Sequence, residues 1–315
     1  MAGIERVTIV GMGAMGILYG NFFGERLGWD KVTFLGDAER VKRFKEKQIT
    51  CNGKVCPFRM EDASLPGEPA ELLIFAVKAT GLEAAIRQVR GRVNHDTAIL
   101  SVLNGISSET IIEEQLGAGV VIHCVAKGMD AVKLGDALIY SHLGTLCLGI
   151  PKGDARREEK LAALKRVVDL FWRNGLPHEI DPDILHAMYC KWMMNVGINQ
   201  TIMVEEGTYR TVQQPGPARE MMKAAMAEVM AVAQAEGVDV TQEDLDEYVA
   251  LADTLNPSGM PSMRQDGLAG RPTEVELFAG TVIRKAKRLG IEVPVNEELY
   301  RRIKGMERKK AGSRD

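Results

Sequence analysis

A glycine-rich loop close to the N-terminus constrains the fold more than any other feature of this sequence. The segment Glu-Arg-Val-Thr-Ile-Val at residues 5–10 is typical of a buried strand, and it leads directly into Gly11-Met12-Gly13-Ala14-Met15-Gly16 and a helix predicted over 14–27. In a G-x-G-x-x-G turn the first glycine permits the tight turn, the second lets backbone approach a pyrophosphate, and the third lets helix and strand pack closely. Free N–H groups at the helix start suit phosphate oxygens. The loop therefore predicts dinucleotide binding, with a ligand-free glycine turn as the alternative.

The first half of the chain alternates short apolar runs with helical patterns. Such alternation predicts βαβ units and a mostly parallel sheet. The predicted strands are 31–35, 71–77, 97–102, 119–125, 131–140 and 144–150, and the predicted helices are 38–47, 81–90, 107–115 and 154–173. A hairpin is predicted over 49–60, because Asn52-Gly53 suits a type I′ turn.

The second half changes character near residue 180. Helices are predicted over 183–204, 217–236, 241–255, 273–289 and 296–308, with a loop-rich stretch at 256–272. Asp181 and Pro182 suit the N-cap and first position of the first of these helices. We therefore predict an α/β, Rossmann-type doubly wound domain over 1–180 and an all-α domain over 181–315.

Charge and composition exclude several classes of protein. Forty basic and 43 acidic residues give a net charge of −3, and aromatic residues make up only 5%, which argues against a nucleic-acid partner. No apolar run approaches the ~18 residues of a membrane span, and the N-terminus lacks the pattern of a signal peptide. The five cysteines contain no C-x-x-C pair and the five histidines are scattered, so we expect no metal site and reduced thiols in the cytoplasm.

Asp37 follows the second predicted strand, where a carboxylate can bind the ribose hydroxyls of NAD. Arg40 follows closely and could instead hold the 2′-phosphate of NADP. A third interpretation makes Asp37 the N-cap of the helix 38–47. The choice between the two cofactors stays open at this point.

The predicted helix 184–204 is apolar almost all round, so it should be buried. Lys191, Asn195 and Asn199 follow one another at i, i+4 and i+8 and therefore lie on one face. Burying such groups is unfavourable unless they meet partners or a ligand. The alternative is a lysine that reaches solvent beside two packing amides. His186 and Cys190, on the same helix, are interpreted as packing residues.

Two further polar groups follow predicted parallel strands, at the edge where open α/β sheets bind ligands. Lys78 follows the strand 71–77, and Asn104-Gly105 follows the strand 97–102. For Lys78 the alternative is a solvent-exposed residue that leads into a helix. For Asn104-Gly105 the alternative is a simple turn. Later in the chain, Thr273 and Glu276 fit a T-x-x-E capping box, in which Glu274 would only complement the helix dipole.

Taken in order, these motifs resemble the ketopantoate reductase (2-dehydropantoate 2-reductase) family over nearly the whole chain. They are the glycine loop, Val77-Lys78, Asn104-Gly105, the polar helix stripe, and the Ser-Met-x-Gln-Asp…Gly-Arg-x-Thr-Glu block at 262–274. The resemblance implies NADP(H)-dependent reduction of 2-dehydropantoate to (R)-pantoate on the route to pantothenate and coenzyme A. Asp37 keeps NAD(H) open as the cofactor.

The resemblance also implies residue roles. Lys191 is similar to the general acid of the family and Glu274 to its polar partner, and Lys78 to a residue that touches the cofactor. Asn104 is expected near both substrate and nicotinamide. The implied substrate-binding residues are Asn104, Asn195, Asn199 and Ser262.

Some positions depart from the family pattern. Gly36-Asp37 stands where the family commonly has an arginine for the 2′-phosphate. Leu103 stands where a glutamine often precedes Asn-Gly, and Ala279-Gly280 replaces a frequent Asn-Gly. A related 2- or 3-hydroxy acid dehydrogenase and a non-enzymatic dinucleotide sensor are the competing hypotheses. The expected partner is a small keto acid, and the methionine-rich helical half is compatible with a homodimer.

Overall fold

The chain divides into two compact units. A computed structural model describes residues 3–311. The first unit contains the chain as far as Leu103 together with Ser107–Ile184, and the second contains Asn104–Ile106 together with the chain from Leu185 onwards. The division follows Ile184, slightly beyond the predicted boundary at 180, and it groups Asn104 with the helical unit. Residues 1–2 and 312–315, which the predicted domains include, lie outside the described residues.

All strands among residues 3–311 belong to the first unit. They are β1 (Val7–Val10), β2 (Val32–Gly36), β3 (Thr50–Cys51), β4 (Lys54–Val55), β5 (Arg59–Asp62), β6 (Leu72–Phe75), β7 (Ala98–Ser101), β8 (Val120–Lys127), β9 (Val132–Leu134), β10 (Ala137–Ile139), β11 (Thr145–Gly149) and β12 (His178–Ile180). The helices of this unit are α1 (Ala14–Leu27), α2 (Ala38–Lys45), α3 (Leu82–Val89), α4 (Ser108–Leu116) and α5 (Arg157–Asn174).

The main sheet has the order β12-β11-β8-β7-β6-β1-β2-β5. From β5 to β8 every neighbouring pair is parallel, which gives the 3-2-1-4-5-6 order of a doubly wound sheet. β11 then pairs antiparallel with β8, and β12 pairs parallel with β11. The strand order reverses between β1 and β6, which is where such sheets bind their ligands. The predicted fold class is confirmed.

Both faces of this sheet are apolar. In β6, Leu72 and Ile74 belong to one core cluster, and Leu73 and Phe75 belong to another. Because successive side chains on a strand point to opposite faces, a continuous apolar run buries both faces under helices. This explains the continuous apolar run Leu72-Leu73-Ile74-Phe75 of β6, in which every residue is buried.

The predicted hairpin over 49–60 is too long. β3 and β4 pair antiparallel around Asn52 (φ 47°) and Gly53 (φ 80°), which gives the expected tight turn. The next segment, β5, instead pairs parallel with β2 at the edge of the main sheet. β3 pairs with β10 in a separate four-stranded sheet of order β4-β3-β10-β9.

The second unit is helical over its described residues. Its helices are α6 (Ile184–Val204), α7 (Tyr209–Gln213), α8 (Pro217–Ala235), α9 (Gln242–Thr254), α10 (Ser262–Leu268), α11 (Ala279–Leu289) and α12 (Pro294–Ala311). α6 is buried nearly all round, as predicted, with Trp192, Met193 and Val196 at most 1% exposed. Each such side chain contributes ~1.5–3 kcal/mol through burial. Asp181 is predicted as the N-cap, but α6 begins only at Ile184; Oδ1 of Asp181 accepts from the N–H of Asp183 at 2.7 Å in a turn that precedes the helix.

The prediction of a helix from residue 273 is wrong, because α11 begins only at Ala279. The N–H and hydroxyl of Thr273 both donate to Glu307 on α12, at 2.8 and 2.7 Å. Glu276 meanwhile accepts from the Tyr300 hydroxyl at 2.6 Å. Contacts with α12 therefore replace the predicted capping box. The loop predicted over 256–272 likewise contains the short helix α10.

Within the described part of the chain, every helix is too short or too polar to cross a lipid bilayer.

Candidate functional site

Two of the three loop glycines are required by the packing of the first unit itself. Gly11 has φ +104°, and a Cβ there would lie 2.5 Å from the carbonyl oxygen of Ala76. A Cβ on Gly16 would lie 2.0 Å from the carbonyl oxygen of Gly11. The turn after β1 and the close approach of α1 therefore exclude side chains at both positions.

Gly13 differs from its neighbours, because the fold does not require it. Its φ of −79° suits any residue, and a Cβ would meet only the Ala76 carbonyl at an ordinary 3.7 Å. Gly13 is also the N-cap of α1, and it has no side chain to occupy the N–H groups of the first turn. A bare backbone before a helix N-terminus fits a dinucleotide pyrophosphate. These residues thus fit the cofactor predicted from the sequence.

Asp37 is the N-cap of α2, as one of its three interpretations predicts. Its Oδ1 accepts from the N–H of Arg40 at 2.8 Å, and its Oδ2 accepts from Nε2 of Gln88 at 3.2 Å. The guanidinium of Arg40 lies 3.5 Å from Oδ2, and both side chains are about two-fifths exposed. A Cβ on Gly36 would lie 3.1 Å from the Cβ of Arg40, so the arginine stem occupies the space beside Gly36. The capping role leaves the carboxylate accessible to a ribose, and that second role stays a prediction.

Lys78 is exposed and follows β6 at the point where the strand order reverses. Its carbonyl accepts from the N–H of Gly81 in a short 3₁₀ turn. The preceding backbone at Ala76 and Val77 is the part that closes on Gly11. Lys78 therefore directly follows the backbone that packs against the glycine loop, and its contact with the cofactor stays a prediction.

The second unit joins Lys191, Asn104 and Glu274 into one hydrogen-bonded chain. Nζ of Lys191 lies 3.4 Å from Oδ1 of Asn104, and Nδ2 of Asn104 donates to Oε2 of Glu274 at 3.1 Å. All three side chains are partly buried. The Cβ position of Gly105 lies 2.9 Å from Leu277, and Gly105 has φ +92°, so a glycine is needed to bring Asn104 to this place. We call this set the lysine–amide–carboxylate chain.

The two asparagines of the stripe contact each other. Asn195 and Asn199 are 7% and 6% exposed, and Nδ2 of Asn199 donates to Oδ1 of Asn195 at 3.2 Å. Oδ1 of Asn199 is buried and has no hydrogen-bond partner among the described residues. A buried acceptor without a donor costs ~1–3 kcal/mol, which a bound ligand could offset. Ser262 shows no hydrogen bond to these two asparagines. It is exposed, at the first position of α10.

The first unit also contains a buried series of two hydroxyls and a carboxylate, which the sequence did not predict. Oγ of Ser101 donates to Oγ of Ser108 at 2.8 Å, and Oγ of Ser108 donates to Glu109 at 2.9 Å. Glu109 is only 1% exposed. A Ser-Ser-Glu run at a helix start signals capping, and nothing in it indicates that the carboxylate is buried.

The sequence predicts no metal site, and three side chains that could hold a metal ion nevertheless lie together in the helical unit. His186, Cys190 and Asp244 present ligand atoms that all lie within 4.8 Å of one another. Asp244 is 58 positions from His186 in the sequence. The i, i+4 spacing of His186 and Cys190 was the available signal in the sequence, and the third side chain comes from a separate helix.

The protein combines a doubly wound α/β unit with a helical unit that contains the lysine–amide–carboxylate chain. This combination defines a class of two-domain dinucleotide-fold proteins. The family model for ketopantoate reductase PanE/ApbA matches residues 7–149, and the model for its C-terminal domain matches residues 183–307. The chain belongs to the ketopantoate reductase (PanE/ApbA) family, which is a family of oxidoreductases.

Individual relatives agree with this assignment. A 2-dehydropantoate 2-reductase of Streptococcus pyogenes is 26% identical over 298 residues, which cover 91% of this chain and 93% of the relative. Two solved structures share the fold and cover 97% of this chain and 99% of their own. One is a D-mandelate dehydrogenase with NADH and anilino(oxo)acetate (TM-score 0.83, 23% identity), and the other is a dimeric ketopantoate reductase from Staphylococcus aureus (TM-score 0.80, 20% identity).

Proposed function

We propose that this protein reduces 2-dehydropantoate to (R)-pantoate with a nicotinamide dinucleotide. The single observation that supports it most is the lysine–amide–carboxylate chain in a member of the ketopantoate reductase family. The glycine loop and the N-terminus of α1 would hold the pyrophosphate, and Asp37 or Arg40 the ribose end. Lys78 would contact the cofactor beside the glycine loop.

The proposed reaction assigns proton transfer to Lys191. The dinucleotide, when bound, supplies the hydride. Reduction of a ketone places negative charge on its oxygen, and a nearby ammonium group both stabilises that charge and donates the proton. Asn104 accepts from Nζ and thereby positions Lys191, and Glu274 holds the amide of Asn104. Glu274 therefore acts on Lys191 through Asn104.

The stripe asparagines and Ser262 are proposed to bind the substrate. The unsatisfied Oδ1 of Asn199 requires a hydrogen-bond donor, and an ionised carboxylate is not a donor. The hydroxyl of 2-dehydropantoate is such a donor. We therefore assign Asn199 to the substrate hydroxyl, and the amide and hydroxyl donors of Asn195 and Ser262 to its carboxylate.

A second candidate is a related 2-hydroxy acid dehydrogenase. The structural likeness to a D-mandelate dehydrogenase favours it, as do Leu103 and Ala279-Gly280, which depart from the family pattern. Its keto acid, phenylglyoxylate, has no hydroxyl to donate. A dinucleotide sensor, the non-enzymatic candidate, would leave Lys191 without a role.

We also propose that the chain forms a homodimer, as the Staphylococcus aureus relative does, and light scattering at known concentration tests this.

Steady-state kinetics with three keto acids tests the proposal. 2-Dehydropantoate, its analogue without the hydroxyl (3,3-dimethyl-2-oxobutanoate) and phenylglyoxylate are each assayed with NADH and NADPH. We expect kcat/KM to fall at least ~100-fold for the analogue, since a site built around a substrate hydroxyl rejects its absence strongly. Turnover of phenylglyoxylate above that of 2-dehydropantoate would replace the first candidate by the second.

A lysine variant separates the enzyme from the sensor. Lys191→Met should lower kcat ~10²–10⁴-fold and leave dinucleotide affinity unchanged, because general acid catalysis contributes about that much. Lys287→Met, an exposed position on α11, is the matched control. A fully active Lys191→Met variant, or a wild-type protein that binds dinucleotide but reduces none of the acids, would overturn the proposal.

A further inference from the structure

We propose that His186, Cys190 and Asp244 bind a divalent transition-metal ion of the zinc class. The site lies within the helical unit and is separate in role from the proposed reduction, which uses none of these side chains. Its ligands are an imidazole nitrogen, a thiolate sulfur and a carboxylate oxygen, which are the three donor types that zinc prefers in proteins.

The backbone places the three side chains on facing surfaces of two helices. His186 and Cys190 lie four residues apart on α6, so they project from the same face one turn apart. Asp244 is the third residue of α9 and forms a capping box with Thr241. Two ligands from one helix and a third from another would join α6 to α9.

Two of the three distances between donor atoms match the edges of a zinc tetrahedron, and the third, between Cys190 and Asp244, lies within 4.8 Å. Sγ of Cys190 lies 3.5 Å from Nε2 of His186, and Nε2 lies 3.1 Å from Oδ2 of Asp244. With Zn–S of ~2.3 Å and Zn–N and Zn–O of ~2.0–2.1 Å, tetrahedral angles give edges of about 3.5 Å and about 3.3 Å. A metal ion could therefore replace the proton between imidazole and carboxylate with little movement of the ligands.

The carboxylate is already oriented by its surroundings. The N–H and the hydroxyl of Thr241 both donate to Oδ2 of Asp244, at 2.7 and 2.8 Å. Hydrogen bonds of this kind fix ligating carboxylates in metal sites. Cys190 is buried, whereas the His186 side chain is 34% exposed, so the cluster reaches solvent on the histidine side. That side supplies an entry path and a fourth position for water.

The donor set also selects the class of ion. Thiolate and imidazole favour Zn²⁺, Co²⁺ and Ni²⁺, whereas Mg²⁺ and Ca²⁺ prefer oxygen ligands alone. The competing interpretation is a histidine–aspartate hydrogen bond beside a packed cysteine. It predicts no stoichiometric metal binding, so one titration distinguishes the two.

Cobalt substitution tests the site in the full chain. Protein treated with EDTA and kept reduced is titrated with Co²⁺, and the thiolate-to-cobalt charge-transfer band is recorded; Zn²⁺ is then added as competitor. We expect one Co²⁺ per chain, a band that saturates at that stoichiometry, and its loss on Zn²⁺ addition. No saturable band at millimolar Co²⁺ would overturn the proposal.

Matched variants assign the ligands. Cys190→Ser should abolish the band, and His186→Gln and Asp244→Asn should each weaken Co²⁺ affinity more than ~100-fold, since even outer-shell changes cost 10–100-fold. Cys147→Ser is the control, because Cys147 is also buried and lies 3.8 Å from a carboxylate, that of Asp181. Retention of the band in Cys190→Ser, or its equal loss in Cys147→Ser, would contradict the assignment.

Thermal unfolding provides a second measurement that does not depend on the spectrum. A ligand that binds only the folded protein raises its Tm with concentration. Zn²⁺ should raise the Tm of the wild type and leave that of His186→Gln unchanged. His186 is partly exposed, so this variant keeps its fold in EDTA, and an equal Zn²⁺ response in both proteins would count against the site.

Discussion

Asn104 and Glu274 lie 170 positions apart in the sequence, and their side chains meet at 3.1 Å through Nδ2 and Oε2. The other end of the same amide, Oδ1, faces Nζ of Lys191. Lysine can only donate and an ionised carboxylate can only accept, so the two neighbours together fix the direction of the amide. Asn104 is therefore the link between an acidic and a basic residue.

This link predicts that Asn104 and Glu274 act as one unit. Asn104→Ala and Glu274→Ala should each lower kcat for 2-dehydropantoate ~10–100-fold, and the double variant should lose no more than the worse single one, as expected for residues acting together. Steady-state kinetics on the four proteins gives the coupling. Glu276→Gln is the control, because Glu276 contacts Tyr300 and Lys304 instead. Losses that simply multiply would show that the two residues act independently.

The glycine loop predicts opposite effects for two alanine substitutions. Gly13→Ala should leave the Tm within a few degrees of wild type, because its Cβ meets nothing closer than 3.7 Å, yet weaken dinucleotide binding at least ~10-fold. Gly16→Ala should lower the Tm strongly, because its Cβ would lie 2.0 Å from the Gly11 carbonyl. Calorimetric titration and thermal unfolding measure the two properties. Unchanged dinucleotide affinity in Gly13→Ala would contradict the assigned binding loop.

Local patterns in the sequence were sufficient to predict the fold class, though not every element. Short apolar runs separated by helices predicted the parallel sheet, and α1 begins and ends where the glycine loop and its apolar pattern indicate. Errors arose where distant parts of the chain compete with a local motif. Thr273 donates to Glu307 and does not cap a helix. β5 pairs with β2 and does not form part of the predicted hairpin.

The candidate site could be predicted only in part, for the same reason. The spacing of Lys191, Asn195 and Asn199 placed them on one helix face, but no local pattern could show that Asn104 bridges Lys191 and Glu274. The buried position of Glu109 likewise depends on how α4 packs. Such contacts arise from tertiary packing, so a single sequence does not encode them in any short motif.

The cofactor preference should depend on the charge of Asp37. A carboxylate repels the 2′-phosphate of NADPH, so Asp37→Ser should raise the ratio of kcat/KM for NADPH over NADH by ~10-fold, equivalent to ~1.4 kcal/mol. Serine is also a good N-cap, so this variant retains the bond to the Arg40 N–H and isolates the effect of charge. Arg40→Ala should shift the ratio towards NADH. If Asp37→Ser lowers the Tm but leaves the ratio of kcat/KM for NADPH over NADH unchanged, Asp37 acts only as the N-cap of α2.

His123 should make the protein sensitive to acid. It lies in β8, is 9% exposed, and its Nδ1 has no hydrogen-bond partner among the described residues. Burial, together with the charge of Lys160, lowers its pKa from 6.5 to about 4, although Asp154 opposes the change. The unfolded chain therefore binds the proton first as the pH falls, so the folded state loses stability between about pH 6.5 and 4 and no further below.

The pKa shift of His123 determines how much unfolding free energy is lost in acid. One pKa unit corresponds to ~1.36 kcal/mol and the pKa falls from 6.5 to about 4, so His123 accounts for at most roughly 3–4 kcal/mol of the free energy of unfolding. Urea denaturation at pH 7 and pH 4.5 should show a smaller acid-induced loss for His123→Gln than for the wild type, because glutamine stays neutral. His95→Gln, at an exposed position, should behave like the wild type. Equal acid-induced losses in His123→Gln and wild type would mean that other groups determine the acid sensitivity.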